Sequence, residues 1–545
     1  MKRTKIMFIL LAVIAFASTP FVVHAGQISP NPNPVGSTIT VTASDMNSLD
    51  PFDNNGYIEI TPTGLLTNSS GTLNNGWLYG FGTLTNSGTL TNSGTLTNEG
   101  RSTLINSGTL NNNIGATLNN NVWVDYTDSW FIGTLTNSGT LNNYGSLNNY
   151  GNKLNNYGQL NNNSGATLNN NNNGSLNNYG QLNNSGTLNN NYTESNGTLN
   201  NYGTLNNNSG GTLNNSGTLT NNNGTLNNNG TLNNNSGGTL TGEYGPLNNN
   251  SILNNYGWLS GGTLNNYGTL TNSGMLFADG NNYGTLNNSG LASVQMDNYG
   301  TMTNSGTLYA YGNNYSTMAS SGTLYAYVNN YGTLTNNGTM NSNGMTNNGI
   351  INGTGNYIQP YYGQTVNNGS MTQSSIQING GTLSGTGTIN GNVNIGSGGT
   401  VSPGNSPGTM TINGTFSSSG NFVFEIGGLL TGQYDVLDIN GNATFTGGNI
   451  EFDFINGYGY NNVIVGDSWD FLLANSITGW NTLSFNFVGL AGGLYWETIP
   501  LANGLGEELL ITPTGVGTHV PEPSSILLMV LGLIGLVAFR RKLIQ

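Results

Sequence analysis

The sequence predicts an all-β chain: a parallel β-helix, or β-solenoid, of short Asn/Gly/Leu repeats with a β-rich C-terminal cap and a single C-terminal transmembrane helix. Three observations predict it. From Gly82 the chain reads GTLTNS-GTLTNS-GTLTNE, then TLNNYG, SLNNYG and TLNNSG to about Asn352, a self-similarity with a period of six residues. Leu84, Leu90 and Leu96 stand six apart, an even number, so in extended chain all three point the same way. That leucine is rarely missing along the array, which sets the chain apart from Asn/Gly/Ser-rich tracts that cannot bury enough surface to fold.

Each residue of the repeat has a physical reason. Gly88 and Gly94 sit where the chain must bend, and glycine tolerates the backbone angles of bends. Asparagine is the next-best residue there, and its amide can bond to the Asn one coil above. One apolar side chain per unit makes no core alone, but coiling the chain stacks leucine on leucine. Two or three units per coil predict coils of roughly 12 to 20 residues, spaced about 4.8 Å apart. Extra residues, as in NNNSGG at 233–238, are expected in the corners.

Along the chain, residues 1–25 read as a secretory signal peptide. Lys2, Arg3 and Lys5 precede an apolar stretch, and Val23-His24-Ala25 places small residues for cleavage after Ala25. Residues 26–63 are not repeats and are placed to cap the open first coil as an N-terminal β cap, with strands expected at Thr38–Val41 and Tyr57–Ile60. The solenoid array is assigned to 64–375. It is interrupted once, at 122–132, by VWVDYTDSWFI. Two readings stand for that segment: a projecting loop whose Trp123, Tyr126 and Trp130 stack on sugar rings, or a packed excursion covering the solenoid flank. Tyrosine recurs before glycine at Tyr144, Tyr150, Tyr157, Tyr179, Tyr202, Tyr256 and Tyr267, and would stack as a ladder if these share one corner. Thr-x-Thr pairs such as Thr83/Thr85 and Thr89/Thr91 suggest the flat hydroxyl-and-methyl faces of ice-binding solenoids, although the second Thr is more often Asn.

Composition excludes several functions. The chain has no cysteine, hence neither disulfides nor thiolate metal sites. Of its eight basic residues only Arg101 and Lys153 lie within 26–520, against 21 acids, a formal charge of −19. Such a surface repels nucleic acid, anionic lipid and anionic polysaccharide unless cations bridge them. Glycan hydrolysis needs paired carboxylates, yet between Ser129 and Gly242 the only charged residues are Lys153 and Glu194. The richest acidic set lies further on; Asp435, Asp438, Glu451 and Asp453 are weak Ca²⁺ candidates by their hard oxygens, against the plainer reading of solvated strand-end acids. No catalytic residue and no cofactor are expected.

The segment GGTLSGTGTINGNVNIGSGGTVSPGNSPGTMTINGTF at 380–416, with PGNSPG at 403–408, and YDVLDINGNATFTGGNIEFDF at 434–454 resemble autotransporter passenger domains. The resemblance covers about 376–515 and implies a continued β-helix closing in a β-sandwich-like cap. No membrane barrel follows, so a different export route is expected. Residues 516–523 form a linker with Pro521, Glu522 and Pro523, 524–539 an apolar run, and 540–545 a tail opening on Arg540, Arg541 and Lys542. These three parts, in this order, resemble the PEP-CTERM sorting tail. The basic cluster would hold the end cytoplasmic, while the run 526–539 spans about 21 Å as helix, short of the roughly 30 Å hydrocarbon core. The resemblance implies recognition by an exosortase, an integral-membrane sorting enzyme of exopolysaccharide-producing Gram-negative bacteria. The expectation is an exported structural or adhesive protein, transiently anchored in the inner membrane through its C-terminal helix, then placed at the cell surface or in the extracellular matrix with exopolysaccharide as partner. An ice- or surface-binding solenoid and a polysaccharide-degrading enzyme are the alternatives.

Overall fold

A computed structural model describes residues 21–23, 27–47, 51–68, 72–75, 82–121, 123–124, 130–191, 197–502 and 504–513. The chain divides into two compact units, Met1–Gly280 and Asn281–Gln545. Both are parallel β-solenoids, as the period of six requires.

In the first unit one coil holds three strands. Ser146–Tyr150, Lys153–Asn156 and Gln159–Asn162 make one turn, and Thr167–Asn171, Ser175–Asn178 and Gln181–Asn184 make the next. The pairing is parallel and in register, with Leu147 beside Leu168, Leu154 beside Leu176 and Leu160 beside Leu182. Coils are 17 to 25 residues apart and reach 31 across the interruption at 122–132. Most therefore exceed the expected 20, because three six-residue units already use eighteen residues and the corners add more. Phe21–Val23 lies parallel to Thr38–Val41, so cleavage after Ala25 would remove this strand and leave Thr38–Val41 as the first edge.

The strands alternate half-exposed and buried positions, as in Thr187–Asn190. Leucine fills one inward position; asparagine fills the other. Leu188 and Asn190 are both 0% exposed, and this pairing repeats along the unit. Burying a primary amide is costly unless its groups are bonded, and here they are. Three internal ladders run from Asn33 to Asn272, from Asn47 to Asn266 and from Asn86 to Asn221. In each, Nδ2 donates to the Oδ1 of the Asn one coil on, at 2.7–2.9 Å. The second amide proton generally reaches a backbone carbonyl of the coil ahead, as Asn190 does to Thr218 at 2.8 Å. Outward-facing asparagines form ladders of the opposite sense: Asn206 donates to Asn183, Asn183 to Asn161 and Asn161 to Asn142, each at 2.9 Å. Inner and outer amide dipoles therefore oppose one another along the axis.

The start of the unit closes one ladder by a side chain. Gln27 Nε2 donates to Asn47 Oδ1 at 3.0 Å, both within residues 26–63, and Asn47 opens the ladder that runs on to Asn266. The other two ladders open on Asn33 and Asn86, whose buried Oδ1 atoms lack a donor among the described residues; above Asn86 the column holds Ile60 instead.

Corner glycines are demanded by close approach. A Cβ on Gly180 would collide with the Gly158 carbonyl oxygen, and one on Gly203 with that of Gly180. Because the clash is with backbone of the next coil, Gly180→Ala is expected to destabilise the unit by about 1–3 kcal/mol. A thermal melt of the variant unchanged from wild type would show that the corner has slack.

The second unit starts with shorter coils of 16 residues: Thr285–Asn288 pairs with Thr301–Asn304, and Leu291–Asn298 with Thr307–Asn314. A ladder from Asn282 through Asn298, Asn314, Asn330 and Asn347 to Asn367 continues the amide scheme. Beyond it the interior turns aliphatic at Ile376, Ile378 and Leu383, then aromatic at Phe416, Phe422, Phe424, Phe452, Trp469 and Phe471. Parallel coiling continues to the pairing of Asn449–Phe454 with Ser484–Val488. Gly506–Thr512 then runs antiparallel to both Ser468–Thr478 and Tyr495–Pro500 and closes the end as a β-rich cap.

Candidate functional site: stacked tyrosine strips

The repeat NNYG places a tyrosine directly after a buried ladder Asn and before a corner glycine. The backbone there is held by the previous coil, as when Tyr179 N donates to Asn156 O at 2.7 Å, so the ring projects outward at a fixed height. Coils of equal register then stack the rings. Tyr157, Tyr179 and Tyr202 have centroids 4.8 and 4.9 Å apart, with planes within 7°. In the second unit Tyr283, Tyr299, Tyr315 and Tyr331 stack at 5.2, 5.0 and 5.3 Å. Two further pairs lie on a flat face, Tyr309–Tyr325 at 4.3 Å and Tyr311–Tyr327 at 4.9 Å.

Three of the tyrosines singled out in the sequence thus form one strip; Tyr144, Tyr256 and Tyr267 are exposed, and Tyr150 is half-buried in its strand. The strips of the second unit escaped sequence reasoning, although a signal was there: Tyr283, Tyr299, Tyr315 and Tyr331 recur every sixteen residues. Stack neighbours remove water from the phenols, which raises Tyr179 and Tyr299 above the ordinary value, chiefly by burial and then by the adjoining groups. Both phenols therefore keep their protons at neutral pH.

The aromatic interruption at 122–132 is described in two short strands. Trp123–Val124 pairs antiparallel with Trp130–Phe131 alone, and Tyr126 lies outside the described residues. The Thr-x-Thr array is broken in space as in sequence: Thr83, Thr103 and Thr134 stack, but the next position is Lys153, and Thr85 meets Ile105.

The acids of the second unit do not converge. Asp435 is 1% exposed, and its two oxygens accept the Gly408 N–H at 2.7 Å and the Glu425 N–H at 2.9 Å. It ties down the end of the PGNSPG turn and leaves no oxygen facing outward. Glu451 accepts from Asn486 Nδ2 at 2.9 Å, and Asp453 lies beside Glu425 in the adjoining strand. Asp438 sits one coil on from Thr411. Among the described residues no group of three or more His, Cys, Asp or Glu is arranged to hold a metal ion.

Burial pushes the Asp435 carboxyl from 3.8 up to about 7, against the two N–H donors and helped by the nearby Glu425 charge. Burial alone pushes Glu507 up to about 7, and Asp438, Asp453 and Asp470 also rise, chiefly by burial. A carboxyl raised in the folded state holds its proton more tightly folded than unfolded. Its contribution is therefore present at low pH and lost as pH rises from about 4 through about 7. The second unit is expected to melt at a higher temperature near pH 5 than near pH 8. A melting temperature that is flat or rising over that window would contradict this.

The fold and its outer strips define the class: a parallel β-solenoid with stacked aromatic edges. Residues 519–542 match the PEP-CTERM protein-sorting motif. A comparison with curated proteins gives no match. This match implies recognition by an exosortase and export with sorting through the C-terminus. Pro521, Glu522, Pro523, Arg540, Arg541 and Lys542 lie outside the described residues, as do the apolar run 526–539 and Ala25. Among the described residues no helix is long and apolar enough to cross a membrane.

Proposed function

We propose that this protein is a non-catalytic structural or adhesive component of the cell surface or extracellular matrix, and that its tyrosine strips bind glycan, an exopolysaccharide above all. The observation that carries this reading is the strip geometry: parallel rings stacked face to face about every 5 Å, about half-exposed, and continuous over four coils in the second unit. The stacked rings turn their edges and hydroxyls outward, an uncharged strip against which sugar C–H and hydroxyl groups pack without any need for charge. The flanking asparagine amides and threonine hydroxyls supply hydrogen-bonding groups. Glycan cleavage is disfavoured by the acids themselves, since Asp435 is committed to backbone and the array from 130 to 241 offers only Lys153 and Glu194.

The test is co-sedimentation of the exported chain with the producing organism's own exopolysaccharide. Binding that persists in high salt and in chelator is expected, because neither charge nor metal carries it. Tyr299→Ala with Tyr315→Ala should weaken it about tenfold, roughly the loss of 1.4 kcal/mol. Binding unchanged by those substitutions would remove the strips from the account, and release of reducing ends from the polymer would revive the enzyme reading.

A second reading has its own observation. On one face of the first unit Thr95, Thr117, Ser146, Thr167, Thr187 and Thr212 lie in one column, a regular hydroxyl rank of the kind an ice-like surface needs. Thermal hysteresis in the purified chain would favour it.

A further inference from the structure

We propose that the pairs Tyr309–Tyr325 and Tyr311–Tyr327 are modification sites: oxidative coupling joins the two rings of each pair at their ortho carbons, giving dityrosine staples between adjacent coils of one chain. The four residues are Cα partners in two parallel, in-register strands, Thr307–Asn314 and Thr323–Asn330. Their ring centroids are 4.3 and 4.9 Å apart and their planes differ by 4° in both pairs. In a parallel, in-register stack each ortho carbon faces its counterpart across about the ring spacing, so the two reacting atoms are held close together and aligned. Holding both partners in place makes coupling within the pair far faster than coupling by diffusion, for which well-oriented intramolecular reactions give effective molarities on the order of 10⁵ M or more.

The pairs are also reachable. Tyr311 is exposed at 38% and the other three rings are half-buried, so an oxidant meets their edges. The phenols of Tyr309 and Tyr327 are held protonated by burial in the stack and by their neighbours, which makes oxidation a loss of electron and proton together. An exported chain without cysteine cannot use a disulfide to lock its coils, whereas a tyrosine staple needs only an oxidising exterior.

The step balances with hydrogen peroxide acting through a haem peroxidase. Each phenol gives up one electron and one proton, and the peroxide is reduced to two waters. The two phenoxyl radicals form one carbon–carbon bond between ortho positions. The hydrogens on those carbons then move to the phenol oxygens as both rings regain aromaticity. Each staple joins residues sixteen apart and closes a loop across one coil, which limits unzipping of the shorter coils that begin the second unit. This chemistry does not depend on whether the strips bind glycan.

The experiment treats an equal mixture of isotopically light and heavy full-length chains with a haem peroxidase and hydrogen peroxide at low protein concentration. Dityrosine fluorescence is followed, and cross-linked peptides are sequenced by mass spectrometry. Peptides joining Tyr309 to Tyr325 and Tyr311 to Tyr327, of a single isotope type, are expected at monomer mass. The double variant Tyr309→Phe, Tyr311→Phe should lose both species and keep the circular dichroism of the parent. Three results would each overturn the proposal: no dityrosine at these pairs, cross-links there only between light and heavy chains, or coupling confined to isolated exposed rings such as Tyr244 and Tyr460.

Discussion

Asn178→Ala is expected to destabilise the first unit by about 3–5 kcal/mol, an effect usually reserved for large core residues. Asn178 accepts from Asn156 and donates to Asn201 Oδ1 at 2.7 Å and to Thr204 O at 2.9 Å. Truncation leaves an amide proton on one side and two acceptors on the other without their partner, each costing about 1–3 kcal/mol when buried, and adds a cavity. Asn178→Asp should be worse still, because a carboxylate oxygen would face the Asn201 oxygen with no proton between them. The neighbouring Asn177→Ala removes an outward amide whose groups water can satisfy, and should cost under about 1 kcal/mol. Urea unfolding followed by circular dichroism measures all three, with hydrogen exchange of the flanking coils to detect local opening, since long repeat arrays do not always unfold as one unit. Equal stabilities for the Asn178 and Asn177 variants would show that the internal ladder adds nothing beyond filling space.

Replacing Pro521, Glu522 and Pro523 together by Ala should arrest sorting altogether. The motif match at 519–542 implies recognition by an exosortase, and these three residues are proposed as the signature it reads. The apolar run and the basic cluster Arg540, Arg541 and Lys542 would remain, so the variant should still engage the membrane and still stop there. The expected result is full-length chain in the inner-membrane fraction and little at the surface or in the medium, read by fractionation and by the mass of the C-terminal peptide. Wild-type distribution of the variant would mean that the tail acts only as an anchor.

Much of the architecture was legible before any coordinate. A period of six with leucine in one phase forces a one-sided extended strand, and glycine at the repeat boundary forces a bend; together these admit little but a coil. The sorting tail was legible too, because its three parts are written in consecutive residues. Coil length was less so: the extra residues at the corners, as at 233–238, have to be divided among bends, and the sequence does not say which strand lies over which. The tyrosine strips show the same division. Tyr157, Tyr179 and Tyr202 were recognisable as recurrent, but whether Tyr144 or Tyr256 joins them depends on which corner each occupies, and that follows from the register of every coil before it.

The sequence by itself determined that this chain is a β-solenoid and that it carries a C-terminal sorting motif, which implies export. Only the tertiary structure decided that asparagine fills one of the two inward positions in the strands of the first unit. By composition the fourth residue of TLNN reads as surface or corner, since an amide taken from water loses several hydrogen bonds. Coils stacked in register offer each amide an identical partner about 4.8 Å away, with a carbonyl of the next coil within reach of its second proton. That match exists only when the whole array is in place, so the stability of any one Asn is a property of the stack and cannot be read from the residue.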